Sequence, residues 1–494
     1  MIEAEVHSSL RDFLRTQGQK TWPHHLTMAR LVARALRLGR SSLIQTETYP
    51  IRYRLSYLTP ALLWKGKVVI VSPAINQEKL LDLIAQLQFW LETNKKIYVG
   101  DLATADTLAD VIITTPETWL AAQLQGKLPS DSSIPTLIEQ AEDLETWTRQ
   151  YLTHTISPEA WQSMMVSYPQ QVDLIRDLRV RLTKAIFSHP PNPYECYLIE
   201  APEEEILQRL FNTLEAITNS PQLKFWRQWQ QRDQLHWVTV ARSLGQFSLH
   251  CTPVEVNGAL SQMWSQQPIV FMGGFLDQDT QAPVYRQQLG ITEDLTCVRF
   301  SPNRQNEHIQ LYIPDFIPLP NTPKFSEALL GELRKLLSSN KQQKRPVVIL
   351  VADVPLKAQV GSMLAAEFGS LVQVESENLT PGGILISGWE FWRYHQQFLP
   401  TPQLLVIATL PFPSLENPIV AGKVAYYKRK RQDWFRLYLL PAALREIQRA
   451  VMPLRDAQGT VALLDSRVIY RSYGTTILDA LEPYARINYL DLWW

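Results

Sequence analysis

The 494-residue chain carries 48 basic and 48 acidic side chains, so its formal net charge at pH 7 is zero. This balance excludes a general electrostatic attraction to nucleic acid or to an anionic membrane, and leaves such binding to a local patch. Hydrophobic residues make up 45% and charged residues 19%, which excludes a disordered chain. A chain of this length predicts about two to four domains, each with its own core.

Three cysteines, Cys196, Cys251 and Cys297, lie far apart in the sequence. They have neither metal-binding spacing nor the pattern of a disulfide framework, and three thiolates cannot by themselves hold a four-cysteine iron–sulfur cluster. We therefore expect a reduced, cytoplasmic protein without an iron–sulfur cluster. The charged N-terminal stretch is unlike a signal peptide, and no apolar run reaches the length of about 18 residues that a membrane-spanning helix needs.

In chain order, residues 3–38 predict two helices separated by Trp22-Pro23. A short strand follows at Leu43–Gln45, then an aromatic and basic stretch, and then a helix over Leu55–Trp64. Beyond this helix, buried-strand runs alternate with helical segments, which is typical of a doubly wound parallel sheet. The strands are expected at Val68–Val71, Ile97–Val99, Val111–Thr114 and Thr136–Ile138, and the helices at Gln77–Thr93 and Pro116–Leu124.

From about residue 144 the pattern changes to long polar segments rich in Leu, Gln and Trp, which predict a helical insertion. Strand signals return at Trp237–Val240, and a second α/β series begins at Val347, with a strand at Ile384–Ser387 and a helix at Ala442–Ala450. We therefore expect an α/β protein with two lobes. The boundaries are 1–143 for the first lobe, 144–235 for the insertion, 236–276 for the return to the first lobe, and 277–494 for the second lobe.

Ordered motifs in the C-terminal part connect the chain to a known family. They are Leu410-Pro411-Phe412-Pro413 with Asn417-Pro418, Gln448 with Arg455, Leu464-Asp465 with Arg467, and Tyr473-Gly474. In order and content these motifs resemble the DinG/XPD-type helicases of superfamily 2, over roughly residues 20–145 and 235–485. The resemblance implies two RecA-like lobes of the P-loop-NTPase type with ATP and magnesium between them, and an arch-like insertion in the first lobe. It also implies ATP-dependent DNA unwinding in repair or replication.

The phosphate loop of that family reads AGTGTGKS or AGTGTGKT, and here the matching residues run from Glu47 to Arg54 without a glycine. Tyr53 stands at the position of the lysine that reaches the phosphates, and Arg54 at that of the hydroxyl that binds magnesium. Because no glycine is present and Pro50 lacks an N–H group, we expect no phosphate-binding nest of backbone amides.

Four further motifs depart from the family pattern. The DEAH motif becomes Glu139-Gln140-Ala141-Glu142, so Gln140 cannot act as the carboxylate that orients the attacking water. The SATL motif becomes Gly273-Gly274-Phe275-Leu276, and the FWEGxD segment keeps Phe391-Trp392 but has Arg393 and Gln396 at its acidic positions. In the last motif, Met452 replaces the first arginine and Arg455 keeps the second.

These departures affect separate parts of one reaction: the binding of phosphate, the binding of magnesium, the positioning of the attacking water, the coupling of the motifs and the stabilisation of transition-state charge. We therefore predict a pseudo-helicase without catalytic residues, in which Glu139, Gln140, Met452 and Arg455 are degenerate family positions. ATP and magnesium would bind only if the family activity survives, and we expect no other metal. We also predict that Tyr53 or its neighbours partly fill the cleft at Thr48–Arg54 and Glu139.

Several side chains have both a functional and a structural interpretation. A nucleotide could be contacted by Arg52, Tyr53, Arg54, Gln448 and Arg455. The alternative for Arg52 and Arg54 is a solvated turn. The alternative for Gln448 and Arg455 is a structural role, through hydrogen bonds or a salt bridge. Two sets could contact nucleic acid: Trp392 with Arg393, where the alternative is a packed core, and the run Lys428, Arg429, Lys430 and Arg431, where it is an exposed charged face. Trp residues of the insertion form either its core or a surface for a protein partner.

Three functions remain open at this stage. The first is a helicase-like protein that binds single-stranded or forked DNA, or a protein partner, without hydrolysing ATP. The second is a divergent ATP-dependent DNA helicase, and the third is a regulatory interaction protein that binds no nucleic acid. The sequence predicts no membrane association, and it leaves the oligomeric state and the pathway undetermined.

Overall fold

A computed structural model of the protein describes residues 1–17, 22–105, 108–126, 134–215, 221–339 and 345–487. The chain divides into two compact units. Unit 1 takes Met1–Leu144, Asn257–Phe412 and the chain from Leu440 onward, and unit 2 takes Glu145–Val256 and Pro413–Leu439. Within the described residues, none of the helices has the length and apolar character needed to cross a bilayer.

The strands of the described residues, in chain order, are β1 (Ser42–Gln45), β2 (Val68–Val71), β3 (Ile97–Val99), β4 (Val111–Thr114), β5 (Thr136–Glu139), β6 (His154–Ile156), β7 (Cys196–Leu198), β8 (Gln234–Ala241), β9 (Gln246–Pro253), β10 (Ile269–Gly273), β11 (Thr296–Arg299), β12 (Ile309–Tyr312), β13 (Val347–Leu350), β14 (Val372–Val374), β15 (Ile384–Ser387), β16 (Leu404–Ile407), β17 (Thr460–Leu463) and β18 (Tyr484–Ile487).

The α-helices of the described residues are α1 (Ile2–Gln17), α2 (His25–Leu38), α3 (Pro50–Leu63), α4 (Ala74–Trp90), α5 (Pro116–Leu124), α6 (Leu144–Leu152), α7 (Pro158–Ser167), α8 (Val172–Ser188), α9 (Ala201–Glu215), α10 (Pro221–Trp229), α11 (Asn257–Leu260), α12 (Pro283–Leu289), α13 (Phe325–Ser339), α14 (Val354–Phe368), α15 (Trp389–His395), α16 (Pro418–Arg429), α17 (Leu440–Asp456), α18 (Arg467–Tyr470) and α19 (Gly474–Leu481). A π-helical turn at Phe435–Leu439 precedes α17.

Unit 1 contains two sheets, and the described strands of each are all parallel. The first sheet has the order β11-β1-β10-β5-β2-β4-β3 and defines the first lobe. The second has the order β14-β15-β13-β16-β17-β12-β18 and defines the second lobe. Every residue of β2, β4, β13 and β16 is buried, as expected for parallel strands covered by helices on both faces. The predicted α/β class with two RecA-like lobes is confirmed.

Unit 2 is not purely helical, which corrects the predicted insertion. It contains a four-stranded antiparallel sheet of order β6-β9-β8-β7, in addition to the predicted helices. The strand signal at Trp237–Val240 belongs to the β8–β9 hairpin of this sheet, so the first lobe resumes at Asn257 and not at residue 236. Trp161, Trp226 and Trp229 are at most 3% exposed and form part of the hydrophobic core of the unit.

The predicted second lobe, residues 277–494, also differs from the structure at two places. Strand β11 pairs with β1 in the sheet of the first lobe, so that lobe extends to about Arg299. Residues 413–439 belong to unit 2, where Tyr426 and Tyr427 of α16 pack in one apolar cluster with Leu235 and Trp237 of β8. These assignments depend on packing between distant segments, which local sequence patterns do not encode.

Candidate functional site

The loop after β1 occupies the position of the phosphate loop, and its backbone is used within the protein. The amides of Thr46 and Glu47 donate to the carbonyl oxygens of Gly273 and Gly274, at 2.8 and 2.9 Å. Helix α3 then begins at Pro50, which sits in its first turn, so the positions of the family's later glycines are helical. The loop therefore presents a short link between a strand and a helix in place of a nest of free amides.

Arg54 and Glu139 form a buried ion pair at the centre of the site. The guanidinium donates through Nε and Nη2 to the two carboxylate oxygens, at 2.9 and 2.8 Å. Arg54 is 2% exposed and Glu139 is fully buried. Burial opposes the charge on Arg54, but the hydrogen bonds and the charge of Glu139 outweigh it and raise the pKa of Arg54. The interpretation of Arg54 as part of a solvated turn is therefore wrong.

Further donors complete the environment of the Glu139 carboxylate. The Tyr57 hydroxyl donates to Oε2 at 2.5 Å, and Ser72 Oγ and Asn76 Nδ2 donate to Oε1 at 3.3 and 3.4 Å. Together with the two bonds from Arg54, five donor contacts from described residues reach a group with about four lone-pair sites. Glu139 thus has no free lone pair with which to bind magnesium, and the cation at its side is the guanidinium. A magnesium–nucleotide complex does not fit this arrangement.

Tyr53, at the lysine position, belongs to the hydrophobic core of the first lobe. Its side chain is fully buried, and its ring lies 6.2 Å from that of Tyr57, centroid to centroid. Burial, followed by the negative charges of Glu139 and Glu142, raises the pKa of the Tyr53 hydroxyl, which therefore stays neutral. A buried neutral phenol cannot replace the charge that a lysine offers to phosphate.

The residues at the position of the DEAH motif lie close to Gly273 and Gly274. Gln140 has a left-handed backbone conformation with φ of 57°, and its side chain accepts a hydrogen bond from Asn76 at 3.1 Å. The Glu142 carboxylate accepts from the amide of Gly274 at 3.2 Å; burial raises the pKa of Glu142 to about 7, although the charge of Arg449 opposes this shift. A Cβ atom at Gly273 would collide with Glu142. A serine at this position would therefore require the Glu142 side chain to move.

Arg52 is also paired, with two carboxylates beyond the first lobe. Its guanidinium lies 3.0 Å from Glu307, just before β12, and 2.6 Å from Asp456, at the end of α17. The Tyr49 hydroxyl donates to the same Asp456 at 2.9 Å. Arg52 is therefore neither a solvated turn residue nor a free cation.

Gln448 and Arg455, the two family positions retained in α17, make structural hydrogen bonds. Gln448 donates through Nε2 to the carbonyl of Ala480. Arg455 is 2% exposed and donates to the carbonyl oxygens of Glu307, Leu481, Glu482 and Pro483 at 2.9–3.3 Å. Burial lowers the pKa of Arg455 to about 10. Among the described residues, Arg455 is bound by these carbonyl oxygens and not by a salt bridge.

Met452 and the aromatic segment at residue 392 are placed in packed regions. Met452 is 5% exposed, and a Cβ atom at Gly274 would come within 3.1 Å of its sulfur. Trp392 is 2% exposed in the core of the second lobe, so its ring has no open face on which a base could stack. Arg393 pairs with Glu446 of α17, donating through Nε and Nη2 to the two carboxylate oxygens.

The four basic residues at the end of α16 are exposed. Arg429 and Lys430 lie 3.6 and 3.0 Å from Asp233, while Lys428 lies 5.3 Å from the Trp434 ring centroid. Arg431 follows in a left-handed conformation with φ of 56°. We call Lys428, Arg429, Lys430 and Arg431 the basic cluster; it combines exposed cations with neighbouring aromatic rings.

Sequence reasoning did not identify several partners of these residues. Tyr57, Ser72 and Asn76 are ordinary polar residues until the fold brings them to Glu139. Arg445 and Arg449 offered a signal, because they lie one helical turn apart on the helix predicted over Ala442–Ala450, whereas Asp456 lies beyond that predicted helix. That spacing marks one face of α17 as charged, but it does not reveal which acids the face meets.

Comparisons with known proteins find helicases among the proteins that this chain resembles. A family model described as the helicase C-terminal domain matches residues 401–484. The chain is 23% identical over 255 residues to the ATP-dependent DNA helicase YoaA of Escherichia coli, and 25% identical over 269 residues to the ATP-dependent DNA helicase DinG of Photobacterium profundum. Each match covers 49% of this chain, and 40% and 38% of the respective relatives.

Solved structures are similar over nearly the whole chain. An XPD helicase structure matches 95% of this chain and 100% of its own, with a TM-score of 0.64 at 14% identity. A structure of S. tokodaii Xpd4 matches 94% of this chain and 100% of its own, with a TM-score of 0.61 at 15% identity. The curated relatives are thus matched over about two fifths of their length, whereas the XPD folds are matched throughout.

Proposed function

We propose that this chain, a divergent relative of the DinG/XPD-type helicases of superfamily 2, is a pseudo-helicase that keeps the two-lobe scaffold without hydrolysing ATP. In the family motifs, the residues at the positions of Arg54 and Glu139 both serve magnesium. In this chain they bind each other. We infer that neither ATP nor magnesium is a cofactor, and that the protein acts by binding.

The buried pair between Arg54 and Glu139 is the observation that carries this proposal. Breaking one partner of a buried ion pair costs about 3–5 kcal/mol, because the other charge is left uncompensated. Nucleotide binding would have to separate this pair before any phosphate contact formed. Tyr53 offers no positive charge to offset that cost, and the amides of Thr46 and Glu47 are already bonded.

The proposal predicts that ATP with magnesium neither stabilises the protein nor is hydrolysed. A ligand at 100 times its Kd stabilises the folded state by about 2.7 kcal/mol, so binding would raise the melting temperature measurably. We expect no rise with millimolar ATP and no single-strand-dependent release of phosphate by the purified protein.

The control for this assay is the Glu139→Gln variant, checked for folding by circular dichroism. Phosphate release that is unchanged in this variant comes from a contaminating enzyme. Release that wild-type protein shows and Glu139→Gln loses would contradict the proposal, and would favour a divergent ATP-dependent DNA helicase.

The basic cluster supports a second part of the proposal, that the protein binds single-stranded or forked DNA. Its cations are exposed, and the aromatic rings of Tyr426 and Trp434 lie within 4.6 and 5.3 Å of Lys430 and Lys428. Exposed cations suit a flexible phosphate backbone, and the partly exposed ring of Trp434 is available to a stacking base, whereas Tyr426 is only 4% exposed. Asp233 offsets part of this charge, so the expected affinity is moderate and depends on salt.

Replacing Lys428 and Arg431 with alanine should weaken binding of a single-stranded oligonucleotide and flatten its salt dependence. Each lost phosphate contact reduces the slope of log K against log salt by about 0.7, so the double variant should lose about 1.4. Fluorescence anisotropy across a salt series measures this slope. The matched control is Arg176→Ala with Arg181→Ala, two exposed cations of the same unit.

An equal loss of binding in both double variants would show that the cluster has no specific role. Wild-type protein that binds no oligonucleotide at low salt would favour the third function, an interaction protein that acts through a protein partner.

A further inference from the structure

We propose that one face of helix α17 is a latch that holds the two lobes together without a nucleotide. This inference rests on the proposed loss of ATP binding and concerns the regulation of the same cleft. Arg445, Arg449, Met452 and Asp456 recur at spacings of four, three and four residues, which places them on one face of the helix. Each of the four side chains contacts the first lobe. We call them the latch residues.

The N-terminal part of the latch contacts the acidic segment after β5. Arg449 Nη2 lies 2.7 Å from Asp143 and 3.8 Å from Glu142. One turn earlier, Arg445 Nη1 donates to the carbonyl oxygen of Glu142 at 3.0 Å. Two arginines of the second lobe are therefore bound to the segment that follows the degenerate acidic motif of the first.

The C-terminal part has the opposite polarity. Here the second lobe supplies the acid, Asp456, and the first lobe supplies Arg52 at 2.6 Å and the hydroxyl of Tyr49 at 2.9 Å. Each lobe thus supplies a cation that pairs with an anion of the other lobe. This reciprocal arrangement favours one register of the helix against the first lobe, since a shift of one turn would separate Asp456 from Arg52.

Between the two polar contacts, Met452 packs against the backbone at Gly274, where the absence of a side chain permits the close approach. The two arginines of these pairs are largely shielded from solvent, with the side chains of Arg449 and Arg52 only 13% and 15% exposed, whereas their partners Asp143 and Asp456 are 22% and 36% exposed. Salt screens such pairs weakly. Both lobes accordingly fall in one compact unit.

A lobe pair that opens and closes with a nucleotide needs a ligand that prefers one state, since a ligand shifts an equilibrium only by its differential affinity. In this chain, side chains of the two lobes already bind each other at the family's nucleotide position. The latch therefore makes the closed arrangement the resting state, and nucleotide adds no interaction that would change it.

Pulsed electron spin resonance between the lobes tests the latch. Spin labels are attached to cysteines that replace two exposed residues, Glu78 on α4 and Ser362 on α14, in a Cys297→Ser background; Cys196 and Cys251 are buried. Wild-type latch residues should give one narrow distance distribution, unchanged by magnesium with a non-hydrolysable ATP analogue. The Arg449→Met, Asp456→Asn double variant should give a broader distribution that extends to longer distances.

The matched control is Arg334→Met, which removes an ion pair to Glu367 within the second lobe and should leave the distribution narrow. A broad distance distribution in the wild type would overturn the latch, and so would a distribution that narrows when the ATP analogue is added. A narrow distribution in the double variant would overturn it as well. If the double variant does not fold, the latch is tested by the distance distribution of the milder Arg52→Gln variant, which should be broader than that of the wild type. The response of the wild-type distribution to the ATP analogue tests it independently. Failure of the latch leaves the proposal of lost hydrolysis standing, because phosphate release is measured separately.

Discussion

Replacing Arg54 with methionine should destabilise the first lobe by about 3–5 kcal/mol, because it leaves the Glu139 carboxylate buried without a counter-charge. Tyr57, Ser72 and Asn76 would still donate to Glu139, but neutral donors do not compensate a full charge in a dry site. Replacing both partners together, Arg54→Met with Glu139→Leu, should cost much less, since no charge then remains. The two single changes are therefore strongly non-additive.

Hydrogen exchange of peptides that span α3 and β5 measures this effect locally, which is preferable to a global midpoint in a chain of two units. The wild type, both single variants and the double variant complete the cycle. The Arg334→Met variant serves as the control for an exposed ion pair, for which only a small cost is expected. If the effects of the two single changes simply add, the pair is not the organising contact of the site.

Replacing Arg455 with methionine should destabilise the second lobe by about 3 kcal/mol or more. The guanidinium donates to carbonyl oxygens of four residues, and each buried acceptor left without a partner costs about 1–3 kcal/mol. Arg455→Lys should recover little of this loss, because an ammonium group cannot reproduce the planar fork that reaches several acceptors. A transition-state arginine would behave in the opposite way, with a large effect on phosphate release and a small one on stability.

Chemical denaturation of the three proteins, together with hydrogen exchange around Leu481–Pro483, checks this prediction. Arg471→Met is the matched control, because Arg471 is exposed in the same lobe and should change stability by less than about 0.5 kcal/mol. Equal stability of wild type and Arg455→Met would show that the carbonyl contacts are weak, and would return Arg455 to consideration as a nucleotide contact.

Much of the two-lobe fold follows from local sequence patterns. Val68–Val71, Ile97–Val99, Val111–Thr114 and Ile384–Ser387 were predicted as strands at the bounds that the structure has. Such strands can be recognised in the sequence, because parallel strands covered on both faces are short runs of β-branched and aliphatic residues between turns. The alternation with helices then predicts a parallel sheet.

The start of α3 shows where local reasoning fails. The helix was expected from Leu55 because the preceding residues align with a phosphate loop, but it begins at Pro50. Without glycines the segment has no reason to form the loop, and proline favours the first turn of a helix. Arg52 and Arg54 are consequently helical, and their side chains point to acids that lie far away in the sequence.

The pairing of the site residues was equally beyond the sequence. Arg54 and Glu139 are 85 positions apart, and Arg52 and Asp456 are separated by more than 400. Sequence motifs identified the unusual residues at these positions, but only the folded sheet decides which charge meets which. The antiparallel sheet of unit 2 differs in origin: its β8–β9 hairpin is local in the chain, whereas the three-residue edge strands β6 and β7 come from distant segments that only the fold brings to the hairpin.

The two glycines at the end of β10 tie this turn to the side chains packed against it. A side chain at Gly273 would strike Glu142, and one at Gly274 would strike Met452. A residue with a side chain at either position would therefore require Glu142 or Met452 to move. Substitutions at the glycines and at these two side chains are consequently expected to be coupled, so that the effect of a pair on stability differs from the sum of the single effects.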